Sequence, residues 1–313
     1  MSGWSVPAIE AIRAGSKPAV AQALAAVEAA ADDAAVIALL DAAWAAPKGH
    51  VIGITGPPGV GKSSLLAVLI DRYRQTGRSV GIIAVDPSSK KTRGALLGDR
   101  TRIKTDPSDT GIFIRSMAAR DRLGGLAGLS FPAMVLFRAA FDVVLIETVG
   151  VGQSETDIRD LADTVVFCIQ PGSGDSLQFM KAGVMEVPDL VIVTKADMGA
   201  PARRARADVE GALSLAVDGA PEAKVLLVSA SQNEGLDALV AALDHHLDTL
   251  SRRGLLHEGR KRQTQLCLDT ILRERFGYEG LAILTRDSEP DYTSDPFTEQ
   301  ARLARDLLSR LDT

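Results

Sequence analysis

Val51-Ile-Gly-Ile-Thr55 is followed by Gly56-Pro57-Pro58-Gly59-Val60-Gly61-Lys62-Ser63 and then by Ser64-Leu-Leu-Ala-Val-Leu-Ile-Asp-Arg72. An apolar run, a glycine-rich octet and an amphipathic stretch in that order read as strand, tight loop and helix. The octet has the form G-x-x-x-x-G-K-[ST], in which glycines let successive backbone N–H groups turn inward around an anion. A helix that starts at Lys62 aims its free amides and the positive end of its dipole at the same point. Lys62 is expected to neutralise phosphate oxygens there and the Ser63 hydroxyl to meet a Mg²⁺ ion that bridges them, with Ser64 a further nucleotide-binding candidate.

The surrounding sequence repeats the alternation. Further apolar runs at 80–85, 143–146, 165–169, 190–193 and 225–228 are uniformly hydrophobic, as suits parallel strands covered on both faces. Helical patterns at 62–76, 126–140, 154–162, 176–186, 201–216 and 235–250 lie between them. This predicts an α/β fold of the P-loop NTPase kind, with a doubly wound, mostly parallel sheet. Alanine-rich residues 8–46 predict two or three helices ahead of the first strand. Residues 258–276 and 297–311 predict a C-terminal helical arm, which must pack back on the domain or pair with a second subunit. The expected organisation is a helical extension over 1–48, a nucleotide-binding domain over 49–250 and the arm over 251–313.

Composition narrows the classes. The 313 residues carry 35 Lys+Arg against 40 Asp+Glu, a net charge of −5, so no global basic field is available to hold nucleic acid or an anionic membrane. The clusters Arg203-Arg204-Ala-Arg206 and Arg260-Lys261-Arg262 are expected on solvated helix faces. Cys168 and Cys267 have no C-x-x-C spacing, which suits a reducing cytoplasm. The adjacent pair His245-His246 cannot share a metal at helical spacing and is expected on the surface. There is neither an 18-residue apolar stretch nor a signal-peptide pattern, so a soluble, cytoplasmic protein is expected.

Ligands of parallel α/β sheets lie beyond the carboxyl ends of the strands, so the residues that follow the runs carry the chemistry. Asp86 follows the second run and Glu147 the third, with Gly150 three residues on; Asp99 lies in Leu97-Gly-Asp-Arg-Thr101. Ser63, Asp86, Asp99 and Glu147 form the candidate metal set, and the Gly150 amide is a candidate contact for the γ-phosphate. Thr194-Lys195-Ala196-Asp197 follows the fifth run. A carboxylate there accepts from both N1–H and the exocyclic amine of guanine, a donor pair that adenine lacks. Ser229-Ala230-Ser231 then offers a backbone amide to the base oxygen. Val151 occupies the place where a water-orienting glutamine directly follows the switch glycine in Ras-type enzymes, and Gln153 stands two residues further on. Slow intrinsic hydrolysis, completed by a partner or second subunit, is the expectation.

The segments Gly56–Ser63, Ala84-Val-Asp-Pro-Ser-Ser89, Leu97-Gly-Asp-Arg-Thr-Arg102, Glu147-Thr-Val-Gly-Val-Gly-Gln-Ser-Glu155 and Thr194–Asp197 together resemble the MeaB/ArgK-type GTPases, the family of the methylmalonic aciduria type A protein. The resemblance spans about residues 50–250. It implies a homodimeric, Mg²⁺-dependent GTPase that binds GTP and GDP. Such a protein escorts an adenosylcobalamin-dependent acyl-CoA mutase, gating cofactor loading and protecting or reactivating the mutase. Lys62, Glu147, Gln153 and Lys181 are the catalytic candidates that follow. Gly172-Ser-Gly-Asp175-Ser176-Leu-Gln178-Phe179-Met-Lys181 matches the family's third switch, which communicates with the mutase. Ser176 and Phe179 depart from the usual Glu and small residue, and Thr194 from the usual Asn, so a related mutase is an alternative client. The competing readings are a P-loop kinase and a GTPase that inserts a metal into another enzyme. The second normally brings Cys or His ligands of its own.

Overall fold

The computed structural model describes residues 4–87, 106, 108–119, 128–148, 158–172, 188–214, 223–285 and 290–311. Three helices come first: α1 (Ile9–Arg13), α2 (Lys17–Ala30) and α3 (Ala34–Ala45). Local chemistry sets their starts. Asp33 Oδ1 accepts from the Ala35 amide at 2.9 Å, and Ser16 with Pro18 opens α2. Then come β1 (His50–Thr55), α4 (Lys62–Gln75), β2 (Val80–Pro87), β3 (Ile112–Ala119), α5 (Ser130–Ala140), β4 (Val143–Thr148), β5 (Thr164–Ile169), β6 (Leu190–Val193), α6 (Ala200–Ser214), β7 (Lys224–Leu227) and α7 (Leu236–Arg252). The chain ends in α8 (Leu255–Thr285) and α9 (Pro296–Leu311).

The sheet has the order β3-β2-β4-β1-β5-β6-β7, and every pairing is parallel. β1 lies between β4 and β5, so the loop that leaves it stands at the middle of the carboxyl edge. Alternation along the strands sends side chains to two helical layers. Val51, Ile83, Val144, Ile146 and Val165 join α1, α2, α3, α5, α8 and α9 on one face. Ile52, Ile54, Ile82, Leu145, Val166 and Ile192 face α4 and α7 on the other. Helix α5 is buried along its whole length, and its sequence is apolar all round apart from Ser130 and Arg138, which are buried with the rest.

Among the described residues the sheet holds one strand more than the six expected. β3 forms the sheet edge, and its residues Phe113 to Ser116 are only partly buried, so Ile112-Phe-Ile-Arg-Ser lacks the apolar run that marks the inner strands. Of the helix expected over 154–162, the described part is a single 3₁₀ turn at Ile158–Asp160. The helix expected over 176–186 lies outside the described residues.

The arm packs back. Trp44 Nε1 on α3 donates to Thr264 Oγ1 on α8 at 2.9 Å. Asp41 on α3 accepts from the Phe297 and Thr298 amides at 2.8 and 3.1 Å, capping α9 from a different helix. Contrary to the expected solvated face, Arg260 is largely buried, with Nε and Nη2 on Asp163 Oδ1 and Oδ2 at 2.8 and 2.7 Å. The expectation for the histidine pair also divides. His245 is exposed, whereas His246 is half-buried with Nδ1 2.8 Å from Thr164 Oγ1.

Candidate functional site

The loop 56–61 requires glycine for two separate reasons. Gly56 has φ +136°, and a Cβ there would lie 2.2 Å from the Cys168 carbonyl oxygen on β5. Gly59 and Gly61 have φ +75° and +102° with open space around them, so they are needed for backbone shape alone. Gly61 caps α4 with no side-chain bond, which leaves the first-turn amides facing the loop. Lys62 is buried, and its Nζ donates to the Gly56 and Pro57 carbonyls at 2.5 and 2.9 Å. Burial pushes the neighbouring Cys168 thiol up to about 12, so it stays a packing group without thiolate character.

Ser63 Oγ donates to Glu147 Oε1 at 2.8 Å, joining the start of α4 to the end of β4. A hydroxyl and a carboxylate beside a phosphate-loop backbone are hard oxygen donors of the type Mg²⁺ takes, together with waters and phosphate oxygens. Thr148 Oγ1 meets Thr55 Oγ1 at 3.0 Å and ties the two strand ends together beneath the loop. Asp86 is the penultimate residue of β2, in register with Ala118, but its side chain lies outside the described residues. Asp99, Gly150, Gln153, Ser176, Phe179 and Lys181 also lie outside them.

A second cluster stands further along the same edge. Thr194 is buried, and its hydroxyl lies 2.7 Å from the Val60 carbonyl and 2.8 Å from that of Ile169, linking the end of β6 to the glycine loop. Lys195 is left-handed, with φ 54° and ψ 42°, and its Nζ donates to Gln170 Oε1 at 2.5 Å and approaches the Gly59 carbonyl at 3.4 Å. Asp197 accepts from Ser229 Oγ at 2.5 Å, with a longer contact of 3.5 Å from Ser231. The Ser229 hydroxyl, ahead of the backbone amide of Asp197 itself, holds this carboxyl below the usual range. Asp197, like any exposed aspartate, is an ionised acceptor at neutral pH. The Ser229 amide is committed to the Glu234 carbonyl at 3.0 Å, so the turn's amide for a base oxygen falls to Ala230 or Ser231.

The fold thus brings Gly56 to Ser63 together with Glu147, and sets Thr194, Lys195, Asp197 and Ser229 to Ser231 on the same edge. Gln170 was missed by the sequence reading. Its signal was its position directly after the strand 165–169, the same logic that singled out Asp86, Glu147 and Thr194.

Comparison with known proteins identifies the family and the fold. The family model described as methylmalonyl-CoA mutase-associated GTPase MeaB matches residues 20–279. A Pyrococcus abyssi protein named as a GTPase is 44% identical over 229 residues, covering 71% of this chain and 70% of that protein. The mouse methylmalonic aciduria type A homolog, mitochondrial, is 37% identical over 228 residues, which cover 71% of this chain and 55% of the mouse protein. Among solved structures, a LAO/AO transport system kinase superposes with a TM-score of 0.67 at 27% identity, covering 97% of this chain and 96% of that one.

Proposed function

This chain belongs to the MeaB family of mutase-associated GTPases, binds guanine nucleotide and hydrolyses GTP, and we propose that it uses this cycle as a timed escort for an adenosylcobalamin-dependent acyl-CoA mutase. The observation that carries the reading is the pairing of two clusters on one sheet edge. The loop 56–63 with Glu147 suits a triphosphate, and the Asp197 carboxylate, oriented by Ser229, suits guanine. No large acceptor pocket is needed for such a cycle, because its output is a conformational signal.

In this reading Lys62 and the first-turn amides of α4 hold the phosphates and offset the charge that develops as the bond between the β,γ-bridging oxygen and the γ-phosphorus breaks. Ser63 and Glu147, with Asp86 and Asp99 as further carboxylates, would hold Mg²⁺, which supplies charge neutralisation when bound. Asp197 accepts the two guanine donors, the stem of Lys195 lies along the base, and a turn amide of Ala230 or Ser231 meets the base oxygen. Gly150 would meet the γ-phosphate. Gln153 and Lys181 are the candidates for completing the catalytic set, with Lys181 in the segment that reads the partner. Because Val151 follows the switch glycine, hydrolysis by the isolated protein is proposed to be slow and to quicken when a mutase or a second copy of the chain completes the site.

Affinity capture from native cytosol, with the protein loaded with a non-hydrolysable GTP analogue, tests the client. Recovery of an acyl-CoA mutase supports the escort, whereas reproducible recovery of a different enzyme in its place overturns it. Fast single-turnover hydrolysis by the isolated protein would refute the slow-timer part.

A further inference from the structure

Gln170 is the first residue after β5, between the glycine loop that follows β1 and the Thr194–Asp197 segment that follows β6. Its Oε1 accepts from Lys195 Nζ at 2.5 Å, while the same ammonium lies 3.4 Å from the Gly59 carbonyl. An ammonium has only donors to offer, so chemistry alone fixes which end of the glutamine amide faces it. The short contact is the one to Gln170.

Lys195 needs such support. Its φ of 54° is unfavourable for a residue with a Cβ, and a backbone of this kind persists where its surroundings over-determine it. Around it, the Met198 amide donates to the Lys195 carbonyl at 3.0 Å, and the Ala196 amide donates to the Val228 carbonyl at 3.1 Å. These bonds hold the backbone. Four rotatable bonds still separate that backbone from the ammonium, and a free lysine stem would lose much rotamer freedom whenever a base settled against it. We propose that Gln170 is a positioning residue for Lys195: it holds the ammonium over the loop so that the stem already lies where the base is received, and thereby slows nucleotide release. The inference rests on the reading of Lys195 and Asp197 as the guanine site.

The test is a double-mutant cycle on the release of fluorescent mant-GDP chased with excess GDP from the full-length protein. Gln170→Met should raise the dissociation rate about fivefold, the scale of one partly exposed charge-assisted hydrogen bond. Lys195→Met should raise it at least as much, and the double variant should match Lys195→Met alone, because both substitutions remove one contact. Gln170→Glu, which keeps an acceptor at the same reach, should restore slow release. An unchanged rate in Gln170→Met, additive effects in the double variant, or failure of Gln170→Glu to restore slow release would each overturn the inference. If Gln170→Met melts early, Gln170→Ser takes its place in the cycle. Asp197→Asn separates the two claims, since it should move preference from guanine toward xanthine, which carries an oxygen acceptor where guanine carries its amine. No such shift refutes the guanine site itself. A shift together with unaltered release in Gln170→Met refutes the role of Gln170 alone.

Discussion

Lys62 and Gly56 make opposite demands on the glycine loop. Lys62 contributes charge and hydrogen bonds, so Lys62→Ala should leave the fold intact and weaken GTP binding by about 100-fold, equivalent to about 3 kcal/mol of charge-assisted bonding. Titration with mant-GTP measures this, and GTP turnover at the normal rate by the variant would remove Lys62 from the site. Gly56 contributes absence of volume. A Cβ placed 2.2 Å from a backbone carbonyl cannot be relieved by turning a side chain, and φ +136° disfavours any L residue. Gly56→Ala should therefore lower stability by about 3 kcal/mol or more, read as an earlier thermal midpoint before any nucleotide is added. Both residues were legible in the sequence because the octet states their spacing. The reason Gly56 must be glycine was not, since the obstructing carbonyl belongs to Cys168, more than a hundred residues along the chain.

Between elements, the amino ends of β1 and β5 are joined to α7 through a single hydroxyl. His50 Nε2 lies 2.7 Å from Thr164 Oγ1, which lies 2.8 Å from His246 Nδ1. Burial holds His50 down to about 4, against a smaller upward pull from Asp163, and burial also lowers His246, against Asp189. A histidine with a depressed folded-state value resists protonation when folded and accepts it when unfolded. Its cost is absent above the unfolded value of about 6.5 and grows as pH falls toward about 4, reaching at most about 3 kcal/mol for His50. Asp163 is also held low, so its own contribution is lost only as pH falls below its unfolded value of about 3.8, outside that window. The thermal midpoint should decline between pH 6.5 and 4, and His50→Gln should flatten the decline while His246 leaves a remainder. Equal slopes in the two proteins would show that His50 does not titrate this way. At this scale the sequence was explicit about the inner strands and poor at the edge. β3 is partly exposed, and its Arg115 and Ser116 interrupt the apolar pattern by which buried strands are recognised.

Across the whole molecule, the N-terminal helices, one face of the sheet and the C-terminal arm share one hydrophobic cluster, from Ile12 and Leu39 through Val144 to Leu268 and Leu307. The Arg260–Asp163 pair fixes the arm to the start of β5, where Asp163 Oδ2 also accepts from the Val51 amide at 2.9 Å. Arg260→Ala leaves a buried carboxylate without its cation. It should cost about 3 kcal/mol or more and shift the denaturant midpoint of one transition that includes the sheet. A separate, early transition of the arm with an unmoved main midpoint would contradict this coupling. By itself the sequence determined the α/β class, the phosphate loop, the strand-end carboxylates and the Thr194–Asp197 segment proposed to read guanine, because each is set by neighbours within a few residues. Only the tertiary structure decided that Gly56 faces Cys168, that Gln170 accepts from Lys195, that Asp41 caps α9 and that Arg260 is largely buried. Each of these joins residues far apart in sequence, and close packing and hydrogen-bond satisfaction arise only once distant segments share the same space.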